Sequence, residues 1–189
     1  MSTFDAIGHS MAAVATGGFS SHDAGLGYFQ SASIEWIAVV LMVLGALPFV
    51  ILLDTARRGV NPILEDSQVR LFLGIIIAAS LVLTVWLVVR QGIGLLEALR
   101  QATFNVVSIM STTGFTSQDY NQWGGFPSIL LLALMLAGGC TGSTAGGIKA
   151  FRLYVLLQTI RMQLHRQIYP HGMFVITYNR SPVADAVRA

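Results

Sequence analysis

The sequence predicts an all-α membrane protein built of helix–re-entrant loop–helix units, the second unit carrying a broken inner helix. Three observations carry that expectation. Apolar residues make up 54% of the 189 residues and charged residues only 11%, against about 25% charged in an ordinary soluble domain. A short polar stretch occurs twice, as VATGGFSSHD at 14–23 and MSTTGFTSQD at 110–119. A glycine-rich run, AGGCTGSTAGGIK at 137–149, interrupts a long apolar segment.

In chain order, the first unit covers 1–53 and lacks an outer helix of its own. It begins with a helix-compatible segment at 4–15, FDAIGHSMAAVA. Twelve residues of helix reach about 18 Å, too short to cross a bilayer. Asp5 lies in its first turn, where the helix dipole favours an anion. The first polar stretch follows, and then an apolar span at 34–53, with Glu35 at its start and Pro48 expected as a kink. Residues 54–70 form a charged connector. The second unit, 71–166, opens with an uncharged span at 71–89. A short semi-polar helix follows at 95–111, with Glu97 near its start, and then the second polar stretch. The last span runs from 128 to about 160 and is broken by the glycines. Residues 167–189 read as a further connector.

The basic residues orient this arrangement. Residues 1–56 contain no Lys or Arg, and the first connector holds Arg57, Arg58 and Arg70. Lys149, Arg152, Arg161, Arg166, Arg180 and Arg188 all follow the glycine break. The positive-inside rule then places 54–70 and 149–189 in the cytoplasm and both polar stretches outside.

Each stretch therefore follows a short helix entering from outside and precedes a span, as in a re-entrant pore loop. Such a helix points its partly negative C-terminal end toward the membrane centre. Extended backbone beyond it can turn carbonyls inward to replace the water around a cation. The candidate ion-binding residues are Thr16, Gly17 and Gly18 in one stretch and Thr112, Thr113 and Gly114 in the other. Phe19 and Phe115 are expected to anchor the strands. A single copy would read more readily as a helix-ending turn with a glycine C-cap. Recurrence in the same context favours the pore loop.

In the glycine run, Gly138, Gly139, Gly142, Gly146 and Gly147 fall within ten positions. Each costs a helix interior about 1 kcal/mol relative to alanine. The run fails the phosphate-loop pattern, because Ile148 separates Gly147 from Lys149 and Ala150 stands where a hydroxyl is needed. Two Gly-x3-Gly spacings would suit a helix-packing face. The preferred expectation is an irregular intramembrane loop that acts as a gate, formed by Gly138, Gly139, Gly142, Ser143, Thr144, Gly146, Gly147 and Lys149.

Other polar residues have plainer readings. His9 reads as packing or a hydrogen bond within the short helix, and His165 and His171 as solvated cytoplasmic residues. None of the histidines, His22 included, shows metal-ligand spacing. Asp23 and Asp119 recur after the stretches, either as turn caps or as a cation-concentrating outer mouth. Trp36, Trp86 and Trp123 suit interfacial anchors. Cys140 is a lone thiol. No nucleophile–base or paired-carboxylate constellation appears, so an enzyme is not expected, nor is a nucleic-acid partner at a net charge of +2.

FDAIGHSMAAVATGGFSSHDAGLGYF, STTGFTSQD and GGCTGSTAGGIKAFR together resemble the second pore loop, third pore loop and third-repeat intramembrane loop of Trk-type potassium uptake proteins, of the Trk/Ktr/HKT superfamily. The likeness covers about residues 3–185. It implies a potassium-channel-like fold of four helix–pore–helix repeats around one pore, with Gly18 and Gly114 as filter glycines and the ion at the carbonyls of Thr16, Gly17, Thr112 and Thr113. It also implies potassium as the transported ion, no cofactor, and a multi-pass homodimer in the cell inner membrane. Its partners would be membrane lipid, the remaining pore repeats and cytosolic nucleotide-binding regulatory subunits. This chain would then be a fragment holding repeats 2 and 3. One glycine per repeat predicts modest selectivity against sodium. Whether transport is channel-like or symport with protons or sodium stays open. The alternatives are a sodium/potassium-permeable relative, a secondary transporter of a small solute using broken helices, and a non-transporting scaffold.

Overall fold

The computed structural model describes residues 1–59, 61–168, 177–179 and 181–182. His171, Arg180, Arg188 and most of the 167–189 connector lie outside the described residues. The regular elements among the described residues are helices apart from a two-residue antiparallel ladder, Thr177–Tyr178 (β1) on Ser181–Pro182 (β2).

Helix α1 spans Thr3–Val14 and is started by a capping box. The Ser2 hydroxyl accepts from Asp5 N–H at 3.1 Å while the Asp5 carboxylate accepts from Ser2, which satisfies two otherwise orphaned donors. A 3-10 turn at Gly25–Phe29 leads to α2 at Ala32–Ala46. Helix α3, Phe49–Arg58, then departs at 106°. The expected kink at Pro48 is thus a full break. Leu47, directly before the proline, is extended (φ −86°, ψ 154°), as proline's ring demands of its predecessor. Fifteen residues of α2 reach only about 23 Å, so the span expected at 34–53 is not one straight helix.

Helix α4 (Asn61–Glu65) and the Asp66 cap lead into α5, Ser67–Gln91. The Asp66 carboxylate accepts from the N–H groups of Gln68 and Val69, and Gly92 closes the far end in the left-handed region. Among the described residues, α5 alone is long and apolar enough to cross a membrane unaided. It is apolar all round. Phe72, Leu83 and Leu87 are buried, while Ile77, Leu81, Val85 and Val89 form an exposed stripe. A water-facing helix would put charge on that side.

Helix α6 (Leu95–Met110) packs along α5. Ala98 and Ala102 are fully buried and let the two axes approach. A second 3-10 turn (Tyr120–Trp123) precedes α7, Gly125–Ala137, and the glycine run separates α7 from α8, Ala150–Ile168. The break in this last segment falls where expected, and α7 before it is an apolar helix of 13 residues. The Gly-x3-Gly residues occupy non-helical backbone, so they form no helix-packing face. Trp123 is only 5% exposed and accepts a hydrogen bond at its carbonyl from Trp86 Nε1. It packs inside the fold and does not serve as a surface anchor.

Candidate functional site

The two repeated stretches adopt one backbone. Each preceding helix ends in a right-handed residue, Ala15 (φ −75°, ψ −2°) or Ser111 (φ −75°, ψ −5°). A left-handed threonine follows, Thr16 at φ +50° and Thr112 at +58°, and a positive-φ glycine comes two residues later, Gly18 at +68° and Gly114 at +82°. Non-glycine residues rarely take positive φ, so its recurrence at matched threonines marks a shared design. The amide pattern also repeats. Thr16 N–H donates to Ala13 O and Gly17 N–H to Ala12 O; Thr112 N–H donates to Ile109 O and Thr113 N–H to Ser108 O. These N–H groups turn back onto their helices and satisfy the C-terminal carbonyls.

The stretches meet each other. A methyl built on Gly18 would lie 1.9 Å from Thr113 O, so only glycine fits there. Behind them, Gly27 N–H donates to Thr116 O at 3.3 Å, which locks the turn after the first stretch onto the second.

The glycine run folds against both. Gly138, Gly142 and Gly147 hold positive φ, and so does Lys149. Gly139 N–H donates to Gly146 O and Ala150 N–H to Gly139 O, which closes residues 138–150 into a compact loop. Lys149 turns its ammonium onto Ala145 O. The break in α2 receives this loop. Cys140 N–H donates to Ala46 O, Thr144 N–H to Gly45 O and Phe49 N–H to Gly142 O. The orphan carbonyls at the end of α2 are thereby satisfied by the loop rather than by water.

From that seat the loop touches both stretches. The Thr144 hydroxyl lies 3.1 Å from Thr16 Oγ1, 2.9 Å from Gly45 O and 3.2 Å from Val14 O. Gly146 N–H donates to Thr112 Oγ1 at 2.7 Å. The structure therefore brings Thr16, Thr112, Thr113, Gly18, Thr144 and Gly146 together. The Gly114 backbone borders the same contact, 3.6 Å from the methyl built on Gly18, although a Cβ built on Gly114 itself would meet nothing within 4 Å; Ser143 instead caps the loop internally through Cys140 O.

Several supporting residues carry no motif in the sequence. The Ser108 hydroxyl donates to Phe115 O at 2.6 Å, Asn105 Nδ2 reaches Ser117 Oγ at 3.4 Å, and Gln68 Oε1 accepts from Thr141 N–H at 3.1 Å. One signal was available for Asn105: it stands 96 positions after His9, the offset of the repeated stretches. Beside Gln68, Asp66 also accepts from Tyr178 Oη and Asn179 Nδ2. Burial and that bond push the Tyr178 phenol above its ordinary range.

The remaining sequence candidates fall as follows. Phe115 is buried as an anchor (3% exposed), whereas Phe19 is 81% exposed and anchors nothing in this chain. The Phe115 ring lies 5.9 Å from that of His9 on α1. His9 makes the hydrogen bonds expected of it. Asp119 is a turn cap, accepting from the backbone and side chain of Asn121 and from Gln122. Those bonds hold its carboxyl below the usual range. Asp23 is exposed, and His165 is exposed on the last turn of α8. Glu35, 6% exposed, faces Arg100 of α6 at 3.5 Å. No cluster of three metal-ligating side chains occurs among the described residues.

Comparison with known proteins bears on the same chain. The family described as TrkH, cation transport protein, matches residues 1–180. The Trk system potassium uptake protein TrkI of Halomonas elongata is 40% identical over 188 residues, which is 99% of this chain and 38% of that protein. TrkH of Escherichia coli K12 is 38% identical over 195 residues, 99% of this chain and 39% of that protein. The crystal structure of the potassium transporter TrkH from Vibrio parahaemolyticus superposes with a TM-score of 0.93 at 34% identity, covering 99% of this chain and 41% of that one. The chain thus spans about two fifths of the length of these relatives. With a match over nearly its whole length, the chain belongs to the TrkH family of cation transport proteins.

Proposed function

We propose that this chain supplies two ion-selecting segments and the gating loop of a potassium uptake pore in the cell inner membrane. The carbonyls of Thr16, Gly17, Thr112 and Thr113 coordinate the potassium ion, and Gly18 and Gly114 give the backbone the turn that aims them. Helices α1 and α6 re-enter from outside and bring their partly negative ends to the ion. The loop from Gly138 to Lys149 lies below the filter and restricts flow. Selection rests on few carbonyls per segment, so discrimination against sodium is modest.

One observation carries this reading. A single glycine loop bonds both repeated stretches, through Thr144 to Thr16 and through Gly146 to Thr112. A helix-ending turn used only for capping needs no such partner. The relatives named above are potassium uptake proteins more than twice this length. In this reading the complete pore takes further repeats, and the family resemblance supplies the rest of the assembly: a homodimer joined on its cytoplasmic side by nucleotide-binding regulatory subunits. Residues 54–70 and 149–189 face that side.

The test is potassium and sodium flux into vesicles carrying the intact parent protein, native against Gly114→Ser. Gly114 holds φ +82°, a conformation that costs a serine about 1 kcal/mol or more. The expected result is a changed potassium-to-sodium ratio at normal protein levels. Unchanged flux and ratio would reduce both stretches to helix caps. Flux that saturates with an organic solute would favour a broken-helix transporter instead.

A further inference from the structure

We infer that His9 and Asn105 are equivalent positioning residues, each holding the strand that returns from its filter segment and so setting ion preference. The inference rests on the pore-loop reading above and adds residues that no motif marks.

The two side chains stand 96 positions apart, in register with Thr16 and Thr112. Both are buried, at 4% and 1% exposure. Both bond the carbonyl four residues earlier: His9 Nδ1 lies 2.7 Å from Asp5 O and Asn105 Nδ2 lies 2.9 Å from Gln101 O. Both then reach across to a serine beyond the filter glycine. His9 Nε2 lies 2.8 Å from Ser20 Oγ, and Asn105 Nδ2 lies 3.4 Å from Ser117 Oγ. His9 bridges its two partners with its two ring nitrogens and Asn105 with the two hydrogens of its one amide nitrogen, so different chemistry serves one bridge. Their matched use points to the bridge as the purpose.

The donor roles in the first unit follow from the partners. A carbonyl only accepts, so His9 Nδ1 carries the hydrogen, and in the neutral ring Nε2 accepts from the Ser20 hydroxyl. Ser20 Oγ in turn accepts from His22 N–H at 3.1 Å. The bridge therefore fixes residues 20–22, just past Gly18. The His9 ring also lies 5.9 Å from that of Phe115, so it contacts the second unit too.

The units differ in how the load is shared. In the second, Ser108 also holds the strand through Phe115 O, and the longer Asn105 contact is near the limit of a hydrogen bond. The residue matching Ser108 in the first unit is Ala12, which has no hydroxyl. Holding the first strand thus falls to His9 through Ser20 and to Asp5, whose carboxylate accepts from the Ser21 hydroxyl at 2.7 Å.

The experiment compares potassium and sodium flux in vesicles carrying the intact parent protein, with Gly114→Ser in parallel. Ser20 lies in an exposed turn, so Ser20→Ala removes the bridge without emptying the core. One lost hydrogen bond corresponds to about a fivefold change in an equilibrium. Ser20→Ala and His9→Ala are each expected to lower the potassium-to-sodium ratio by about fivefold, and the double variant by no more than His9→Ala alone. His9→Asn should recover most of the loss. Asn105→Leu should shift the ratio less than His9→Ala, and more once Ser108→Ala is added. If Gly114→Ser shifts the ratio but Ser20→Ala does not, the anchoring inference is overturned and the filter reading stands. Equal loss of both fluxes in His9→Ala, with the ratio kept, would also overturn it, since that is what simple packing gives. If Gly114→Ser leaves the ratio unchanged, the filter reading falls and takes this inference with it.

Discussion

Gly138→Ala and Gly142→Ala separate two costs that usually arrive together. Both glycines hold positive φ, +70° and +82°, so each alanine bears a left-handed penalty of about 1 kcal/mol. Only Gly138 lies under another piece of chain. A methyl there would fall 2.3 Å from Gly146 O and 2.7 Å from Gly147 Cα, whereas at Gly142 the nearest atom is Pro48 Cβ at 3.8 Å. Non-bonded heavy atoms settle near 3.5 Å, so residues 146 and 147 must move by about 1 Å. That shift pulls on Gly139 N–H to Gly146 O at 3.3 Å and on Gly146 N–H to Thr112 Oγ1 at 2.7 Å. Two hydrogen bonds at about 1 kcal/mol each bring Gly138→Ala to about 3 kcal/mol, against about 1 kcal/mol for Gly142→Ala. The assay is thermal unfolding of the intact parent protein in detergent, paired with potassium leak in vesicles. Gly138→Ala should melt lower and leak, while Gly142→Ala should stay near native. If Gly142→Ala destabilises as much as Gly138→Ala, the backbone crossing is not what demands glycine.

Three further outcomes follow from the same geometry. Thr144→Val keeps the shape and removes the hydroxyl that joins Gly45 O, Val14 O and Thr16 Oγ1; it should cost about 1–2 kcal/mol and raise resting potassium flux, and a tight, stable variant would refute it. Arg100→Leu strips the partner from buried Glu35 and should cost about 3 kcal/mol in unfolding, with most of it recovered by adding Glu35→Gln; equal stability of the single and double variants would contradict this. Hydrogen bonds from Ser21 and Ser2 pull the Asp5 carboxyl down to about 2 from an ordinary 3.8. A depressed folded pKa means the tie between α1 and the return strand is present above about pH 4 and is lost as pH falls toward 2. Amide exchange at Asp5 should accelerate over that window, and Ser21→Ala should move the transition to higher pH.

Much of the fold was legible because its signals are local. Residues 4–15 and 95–111 were read as short helices from length and acidic starts, and they appear as α1 and α6 within one residue at each end. The broken last span was legible because five clustered glycines oppose helix whatever surrounds them. Pro48 was misjudged. A proline in an apolar run is compatible with a kink, and the sequence does not reveal that the glycine loop waits to cap the freed carbonyls of Gly45 and Ala46. Phe19 is exposed in this chain although its match, Phe115, is buried: burial depends on which helices flank a residue, and the local stretch does not encode them.

The sequence by itself determined the repeated helix–turn units, the break after Ala137 and the family to which the chain belongs. Each depends on residues close together or on a pattern that can be compared directly. Only the tertiary structure decided that one loop touches Thr16 and Thr112, that α2 breaks where that loop seats, and that His9 and Asn105 each tie the carbonyl four residues back to a serine past the filter glycine, Ser20 in one unit and Ser117, one register position further on, in the other. Those contacts join residues far apart in the chain, such as Thr16 and Thr144. Their partners are backbone carbonyls and amides, which every residue carries alike. No residue type announces them, and the fold alone selects which of them meet.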